Sequence, residues 1–419
     1  MKKPQSLAFL LACCPALYAA TPEETKLDTL KTYELQSVQV TSTRANRTTP
    51  MAFQNINKQQ LKAINHGKDI PFLLSLTPSV ITTSDAGNGI GYTSLRVRGT
   101  DPSRINITSN GIPMNDAESS QVYWVNMGDF ASSISSMQIQ RGVGTSTNGS
   151  SAFGATVNME TEQIGMNPFL SVDLSAGSYA SHKETLRFGT GLLGGHWGIQ
   201  GRLSNLGSDG YKDRASAKLN SYFVQAGYFA DNTIVKFVTF NGTERTYHAW
   251  DLASKYAQSL YGRTYNPSGK MEKDANGNAQ FYRDQTDNYH QQHYQLFWNQ
   301  YLNKDWTLNV ALHYTNGKGY YEQYKKDKKL LDYGLDANKT KAKSSLVRQK
   351  WLSNDFFGTI ASLHFNNKKN VEATIGGGWN KYDGDHYGFV TWVAKPVDAY
   401  FPYHRYYDNN TKKTDRSEE

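Results

Sequence analysis

Residues able to do covalent or metal chemistry are few in this chain and poorly spaced for it. Gly142, Val143 and Gly144 with Gly149 have the glycine density of a phosphate-cradling loop, but no Gly-Lys-Ser/Thr ending and no helical run follow. No His-Glu-x-x-His is present to hold zinc, and no Gly-x-Ser-x-Gly to present a nucleophilic serine. Both cysteines, Cys13 and Cys14, fall near the N-terminus, so the rest of the chain has no thiolate nucleophile, thiolate metal site or disulfide framework. His248, His290 and His293 stand at the ends of the longest loop-like segment, where they can touch haem or a metal or simply occupy surface. The expectation is a protein that is not an enzyme and has no metal site or cofactor of its own.

What the side chains do offer is recognition. Tyr320, Tyr321 and Tyr324 beside several lysines, and Tyr247, Trp250, Tyr256 and Tyr261, supply aromatic faces that hold sugars, catecholates or planar chelates. Residues 325–350 hold nine Lys or Arg against Asp327, Asp332 and Asp336, a field able to steer an anionic ligand inward. Over the whole chain the formal charge is +8, and it falls to +6 without Lys2 and Lys3. That excess is modest, and no nucleic-acid partner is expected.

The composition limits what can position these groups. Only 38% of the 419 residues are hydrophobic, whereas 13% are aromatic, with 27 Tyr and 35 Gly. A spanning helix needs about 20 consecutive apolar residues, which no segment beyond the N-terminal leader has. Disordered chains lack the aromatic and β-branched residues abundant here. Lys2 and Lys3 precede an apolar run over residues 7–17, and Ala19 and Ala20 supply the small residues of a cleavage site. Residues 1–20 therefore read as a secretory signal cut near Ala19, with a lipoprotein cut at Cys13 as the alternative.

Beyond it, residues 21–45 form a polar leader containing one extended segment, Leu35, Gln36, Ser37, Val38, Gln39, Val40, Thr41 and Ser42. Leu61, Ile64, Ile70, Leu73 and Leu74, interrupted at Gly67 and Pro71, predict two short helices within residues 57–76. Short strands and glycine turns then continue to about Thr161, as in a small α+β domain over residues 46–163. From Pro168 the period becomes two. Leu170, Val172 and Leu174 alternate with Ser171 and Asp173; Trp197, Ile199 and Leu203 oppose Gln200, Arg202 and Ser204; Leu308, Val310, Leu312 and Tyr314 repeat the pattern. Nine such runs are expected, at 168–177, 182–193, 196–207, 217–230, 233–243, 290–302, 306–317, 353–366 and 371–382. Each is about ten residues or more, the length a tilted strand needs to cross a bilayer, and every second connection is tight while most others are long. The prediction is a transmembrane antiparallel β-barrel over 168–419, with turns on the periplasmic side and loops outside. Its outer surface would meet membrane lipid and lipopolysaccharide, whose phosphates the 325–350 cations can also contact. Nine is an odd count that leaves an open edge in lipid, and residues 412–419 read as part of a fifth outer loop, so a fragment of a longer protein is expected.

Particular residues of the small domain carry a family resemblance. Ser94-Leu95-Arg96-Val97-Arg98-Gly99, the stretch from Arg104 through Asn110-Gly111 to Met114, Ile139-Gln140-Arg141-Gly142, and the stretch from Gly149 through Phe153-Gly154 to Met159 resemble the TonB-dependent outer-membrane receptors in order and spacing. Val143 departs from the pattern, since the family places Pro after Arg-Gly. The resemblance implies an α+β plug inside a barrel of about 22 strands. It also implies active import of a scarce solute across the outer membrane of a Gram-negative bacterium, energised by TonB and its inner-membrane complex. The expected cargo is a ferric siderophore or other iron chelate, with cobalamin, haem or a glycan as alternatives, and a non-functional receptor remnant as a further one. The segment from Leu35 to Ser42 looks like the TonB box, an extended peptide able to add to a partner's sheet edge, or else an ordinary first strand of the plug. Arg96, Arg98, Gly99, Gly111, Arg141, Gly142 and Gly154 form the plug motif, its glycines at turns or close approaches and its arginines suited to pairing with wall carboxylates. A ligand floor is expected along residues 115–124, including Asn115, Asp116, Tyr123 and Trp124, opposite Tyr320, Tyr321 and Tyr324.

Overall fold

A computed structural model describes residues 44–46, 49–144, 153–336, 341–395 and 403–418. The signal, the segment from Leu35 to Ser42, and Gly149 lie outside the described residues. The chain divides into two compact units, Met1–Ser37 and Val38–Glu419; everything below concerns the second.

The N-terminal part is an α+β domain. Strand β1 (Ala52–Asn57) runs into helix α1 (Lys58–Ile64) through a reciprocal cap. The Asn57 side chain accepts from the Gln60 N–H at 3.0 Å, and the Gln60 side chain accepts from the Asn57 N–H at 2.9 Å. Helix α2 (Ile70–Leu73) follows with Pro71 in its first turn, where proline's missing N–H costs nothing. Strands β2 (Val80–Ser84) and β3 (Thr93–Val97) pair as a hairpin; β4 (Ile105–Ser109), β5 (Ile112–Pro113), β6 (Ile134–Arg141) and β7 (Ala155–Thr161) join β1 in a sheet of order β1-β6-β7-β4-β5. Ile105, Ile107, Met137, Ile139, Val157 and Met159 are buried on these strands. Each contributes roughly 1.5–3 kcal/mol by leaving water.

The second part is one antiparallel sheet. Its strands are β8 (Pro168–Gly177), β9 (Ser181–Thr190), β10 (Trp197–Ser208), β11 (Ala217–Phe229) and β12 (Thr233–Tyr247). An excursion holds α3 (Lys255–Tyr261), β13 (Lys270–Lys273) and β14 (Ala279–Phe281), before β15 (Thr286–Tyr301), β16 (Trp306–Lys329), β17 (Lys343–Asn366), β18 (Glu372–Val393) and β19 (His404–Glu418). Leaving out the β13–β14 hairpin, the sheet order follows the chain from β8 to β19, ten strands in all. Its polarity is inside out. Leu170, Val172 and Leu174 are 73%, 62% and 73% exposed, while Lys183, Thr185, Gln200 and Arg202 are buried toward the plug. A water-facing sheet would reverse this, so the outer face is made for hydrocarbon. No described helix is long and apolar enough to cross a membrane.

Two strand expectations need correction. The count is ten rather than nine: residues expected in an outer loop pair with β18 from Val390↔His404 to Gly378↔Glu418. Strands β15 to β18 also run farther than expected, to 24 residues in β16 and β17. The physical reason is the same in both cases. Regular apolar–polar alternation marks only the portion of a strand in lipid; above it the hairpins keep their backbone ladder while their side chains pack locally, as Leu346 and Val390 do against Leu330, Tyr333 and Leu335.

Candidate functional site

Between the plug and the long-loop ends of the wall strands lies a cavity of about 500 Å3. The plug supplies its floor with Asp116, Glu118, Tyr123 and Asn126; the wall supplies Tyr289, Tyr321, Trp351 and Tyr382, and the loop after β12 adds Trp250. The aromatic rings brace one another. Trp250 stacks on His248 with centroids 3.9 Å apart and meets Tyr92 edge-on at 5.3 Å, and Trp351 stacks with Tyr387 at 5.9 Å. Burial and nearby Lys325 hold the His248 imidazole down to about 3, so it packs as a neutral ring. Gly317 admits Tyr289 to the wall: a Cβ there would collide with the Tyr289 hydroxyl, which donates to Asn354 at 2.8 Å.

Acidic side chains outnumber basic ones in the cavity's lining. Asp116, Glu118, Glu244 and Asp287 line it against Lys350 and His386. His386 Nε2 lies 2.8 Å from Glu118. The Tyr92 hydroxyl, donated to Asp287, is pushed well above its usual range by burial and by Glu244 and Asp287 beside it. Asp69 at the start of α2 is likewise raised by burial and takes a hydrogen bond from Thr93 at 2.9 Å.

Below the cavity, the plug is tied to the wall through Asp129. Thr185 and Ser204 each donate to its carboxylate at 2.6 Å, with Ser132 at 2.6 Å, while Arg202 stands at 3.3 Å and Lys183 at 3.6 Å. Asp129 holds a left-handed backbone (φ 50) at the head of the 3-10 turn Phe130–Ser133, a conformation Asp tolerates better than most residues. Burial alone would raise its pKa, but Arg202 and Lys183 bring it down to about 2. Arg187 of β9 pairs with Glu162 of the plug, which also meets Lys58 at 3.1 Å. At Gly242 of β12, a Cβ would overlap the Asn126 carbonyl, so plug and wall touch backbone to backbone.

These ties correct the expectation that plug arginines pair with wall carboxylates. Arg96 pairs with the plug's own Asp101 at 3.6 Å, Arg141 reaches the Pro78 carbonyl at 3.4 Å, and Arg98 Nη1 lies beside Gly142. No wall carboxylate meets any of the three among the described ion pairs. The inward faces of β9 and β10 are themselves basic, through Lys183, Arg187 and Arg202, and acids on the plug complement them. Gly99, Gly111 and Gly142 have φ of 76°, 83° and 110°; Gly154 instead brings backbone close, since a Cβ would sit 2.7 Å from the Arg104 carbonyl.

Of the expected ligand residues, Asn115, Asp116, Tyr123, Tyr320 and Tyr321 line the cavity, whereas Trp124 and Tyr324 do not. Asn115 is committed to its own turn, accepting from the Ile107 N–H at 2.8 Å and donating to the Ile105 and Ser120 carbonyls at 2.9 Å each. Trp124 is buried in the plug, and the Tyr324 hydroxyl donates to Glu272. Tyr256 and Tyr261 are exposed on α3, and the Tyr247 hydroxyl donates to the Tyr282 carbonyl at 2.9 Å. Sequence reading missed Tyr92, Asn126, Glu244, Asp287, Tyr289, Trp351 and Tyr382. The signal for the wall residues was phase. With Tyr294, Leu296 and Trp298 on the lipid side, counting back by two along β15 places Asp287, Tyr289, Gln291 and His293 inside.

Residues 45–156 match the family model described as the TonB-dependent Receptor Plug Domain. Among solved structures, the chain is similar to the ferric-catecholate import receptor Fiu of E. coli K12, in its open form. The TM-score is 0.60 at 14% identity, covering 87% of this chain and 53% of that one. It is also similar to the ferripyoverdine receptor of the outer membrane of Pseudomonas aeruginosa (0.58, 12%, 89% and 48%) and to the copper transporter OprC (0.58, 12%, 84% and 49%). The chain thus spans about half the length of the solved structures it matches. No curated protein matches it by sequence.

Proposed function

From a chain that carries the plug domain of the TonB-dependent receptors and part of their β-barrel, we infer an outer-membrane importer of a Gram-negative bacterium. It does transport rather than bond chemistry, and it draws its energy from TonB. The observation that carries this reading is the aromatic cavity, closed below by a plug that is tied to the wall by hydrogen bonds and ion pairs and by no covalent link. Cargo held there cannot pass until the plug shifts.

The leader offers a handle for that shift. Arg44 pairs with Glu160 at 3.1 Å, the Ala45 N–H donates to Gln138 at 2.7 Å, and Gln138 returns a bond to the Ala45 carbonyl at 2.9 Å. A pull applied to residues 35–42 is therefore delivered to β6 and β7. Read as a TonB box, that segment would add as a strand to an edge of TonB's sheet. The cargo proposed is a metal chelate, most simply a ferric siderophore, because the cavity's size and its stacked Trp and Tyr rings suit a compact chelate with planar groups. The test is uptake of radiolabelled iron from a panel of ferric chelates by cells carrying the intact gene or a form lacking residues 35–42. Deletion should abolish uptake while leaving surface binding in the cold. Uptake unchanged by the deletion overturns TonB coupling, and failure of every chelate to bind overturns the choice of cargo.

A further inference from the structure

Glu244 of β12 and Asp287 of β15 border the same part of the cavity and are 3% and 9% exposed. Tyr92 donates to Asp287, and Thr246 donates to Glu244 at 3.2 Å. Neither carboxylate takes part in an ion pair among the described residues. Buried acids are ordinarily paired, and two together without a counter-charge oppose one another's ionisation. The contrast with Asp129 is direct, since that single carboxylate faces two cations.

A third group points the same way. The Asn126 side chain, on a residue 7% exposed, lines the same cavity, and its Oδ1 is buried with no hydrogen-bond partner. Its backbone packs on Gly242, which shares the inward face of β12 with Glu244 two residues on, so Asn126 lies on the same stretch of wall as that acid. An unmade hydrogen bond at a buried acceptor is costly, so the site favours an occupant that donates. The aromatic wall adjoins it: Trp250 lies edge-on to Tyr92 at 5.3 Å and to Tyr321 at 6.1 Å. The cavity's lysine, Lys350, makes no ion pair with either acid among the described residues; its Nζ stands 5.9 Å from the Tyr321 ring centroid and 6.0 Å from that of Tyr407.

We propose that this wall is a subsite for a cationic, N–H-donating group of the cargo, an amidinium, guanidinium or ammonium, held by Glu244, Asp287 and Asn126 against Trp250. The assignment rests on the cavity being the cargo site. It adds that the cargo presents positive charge at the plug, whatever the charge of the rest of the molecule.

The test titrates the full chain in detergent with benzamidinium and with its uncharged isostere benzamide, following heat by calorimetry. Benzamidinium should bind about tenfold or more tightly than benzamide. The Glu244→Gln/Asp287→Asn pair, which keeps shape and hydrogen-bonding capacity, should bring the ratio near one. Equal affinities in the parent, no binding of either probe, or a ratio the double variant leaves intact would each overturn the subsite. The parent comparison needs no variant to fold. A subsite that discriminates while every ferric chelate fails to bind would remove the proposed cargo and leave the subsite standing.

Discussion

Replacing Asp129 with Asn should loosen the plug at one defined place. The carboxylate side chain is 0% exposed and faces Arg202 and Lys183, whose side chains are 2% and 5% exposed. Asparagine keeps the volume, and its amide oxygen can still accept from Thr185 or Ser204, but both buried cations lose their counter-charge. Breaking such a pair from one side costs about 3–5 kcal/mol. The loss is local, because Asp129 heads the 3-10 turn Phe130–Ser133 and adjoins the turn Trp124–Met127. At 1.36 kcal/mol per tenfold, about 3 kcal/mol accelerates amide exchange there roughly 100-fold. Hydrogen exchange read by mass spectrometry on the full chain in detergent measures it, with β12 and β15 amides as the internal control. The acid response supplies a second check. Arg202 and Lys183 hold Asp129 at about 2, below its ordinary 3.8, despite burial. A depressed folded-state value means the tie is complete above the ordinary value and is lost as pH falls through about 2. The drop amounts to about 2 kcal/mol. The Asn variant should be flat over that range. Exchange altered less than about threefold, or a variant as acid-sensitive as the parent, would refute the reasoning.

Gly242→Val should destabilise plug seating by at least about 2 kcal/mol, because a side chain there overlaps the Asn126 backbone; thermal unfolding of the detergent-solubilised chain would show a lower midpoint. Leu312→Arg on the outer face should cost about 2–4 kcal/mol if that face meets hydrocarbon, whereas His313→Gln on the inner face should cost less; urea titrations in lipid vesicles give both numbers. Trp250→Ala should leave the strands intact and weaken benzamidinium binding about tenfold by removing an aromatic face, which the same calorimetric titration measures.

The strands were legible where chemistry forced alternation. Strand β8 begins and ends where expected because every second residue from Leu170 to Leu174 faces outward as apolar surface. Strand β19 was not legible, since its residues alternate no apolar face and its pairing with β18 is a backbone ladder. The plug's Arg-Gly turns located the domain, but the sign of the plug–wall pairing did not follow from them. Arg96, Arg98 and Arg141 are conspicuous by motif, while Asp129 sits in an irregular turn that no periodicity marks and meets Arg202 across 73 positions. Aromatic residues on the loop side were readable as recognition surface. Sorting Tyr321, which lines the cavity, from Tyr324, which binds Glu272, requires knowing how far β16 extends above the lipid.

The central claim is that TonB pulls this plug by its leader. Residues 21–419 contain no cysteine, so Val38→Cys adds a single thiol to them. Cells expressing it with a single-cysteine TonB should yield a disulfide-linked adduct that grows when cargo is supplied. Absence of an adduct at every position from Leu35 to Ser42, with both proteins present in the outer and inner membranes, would contradict the account.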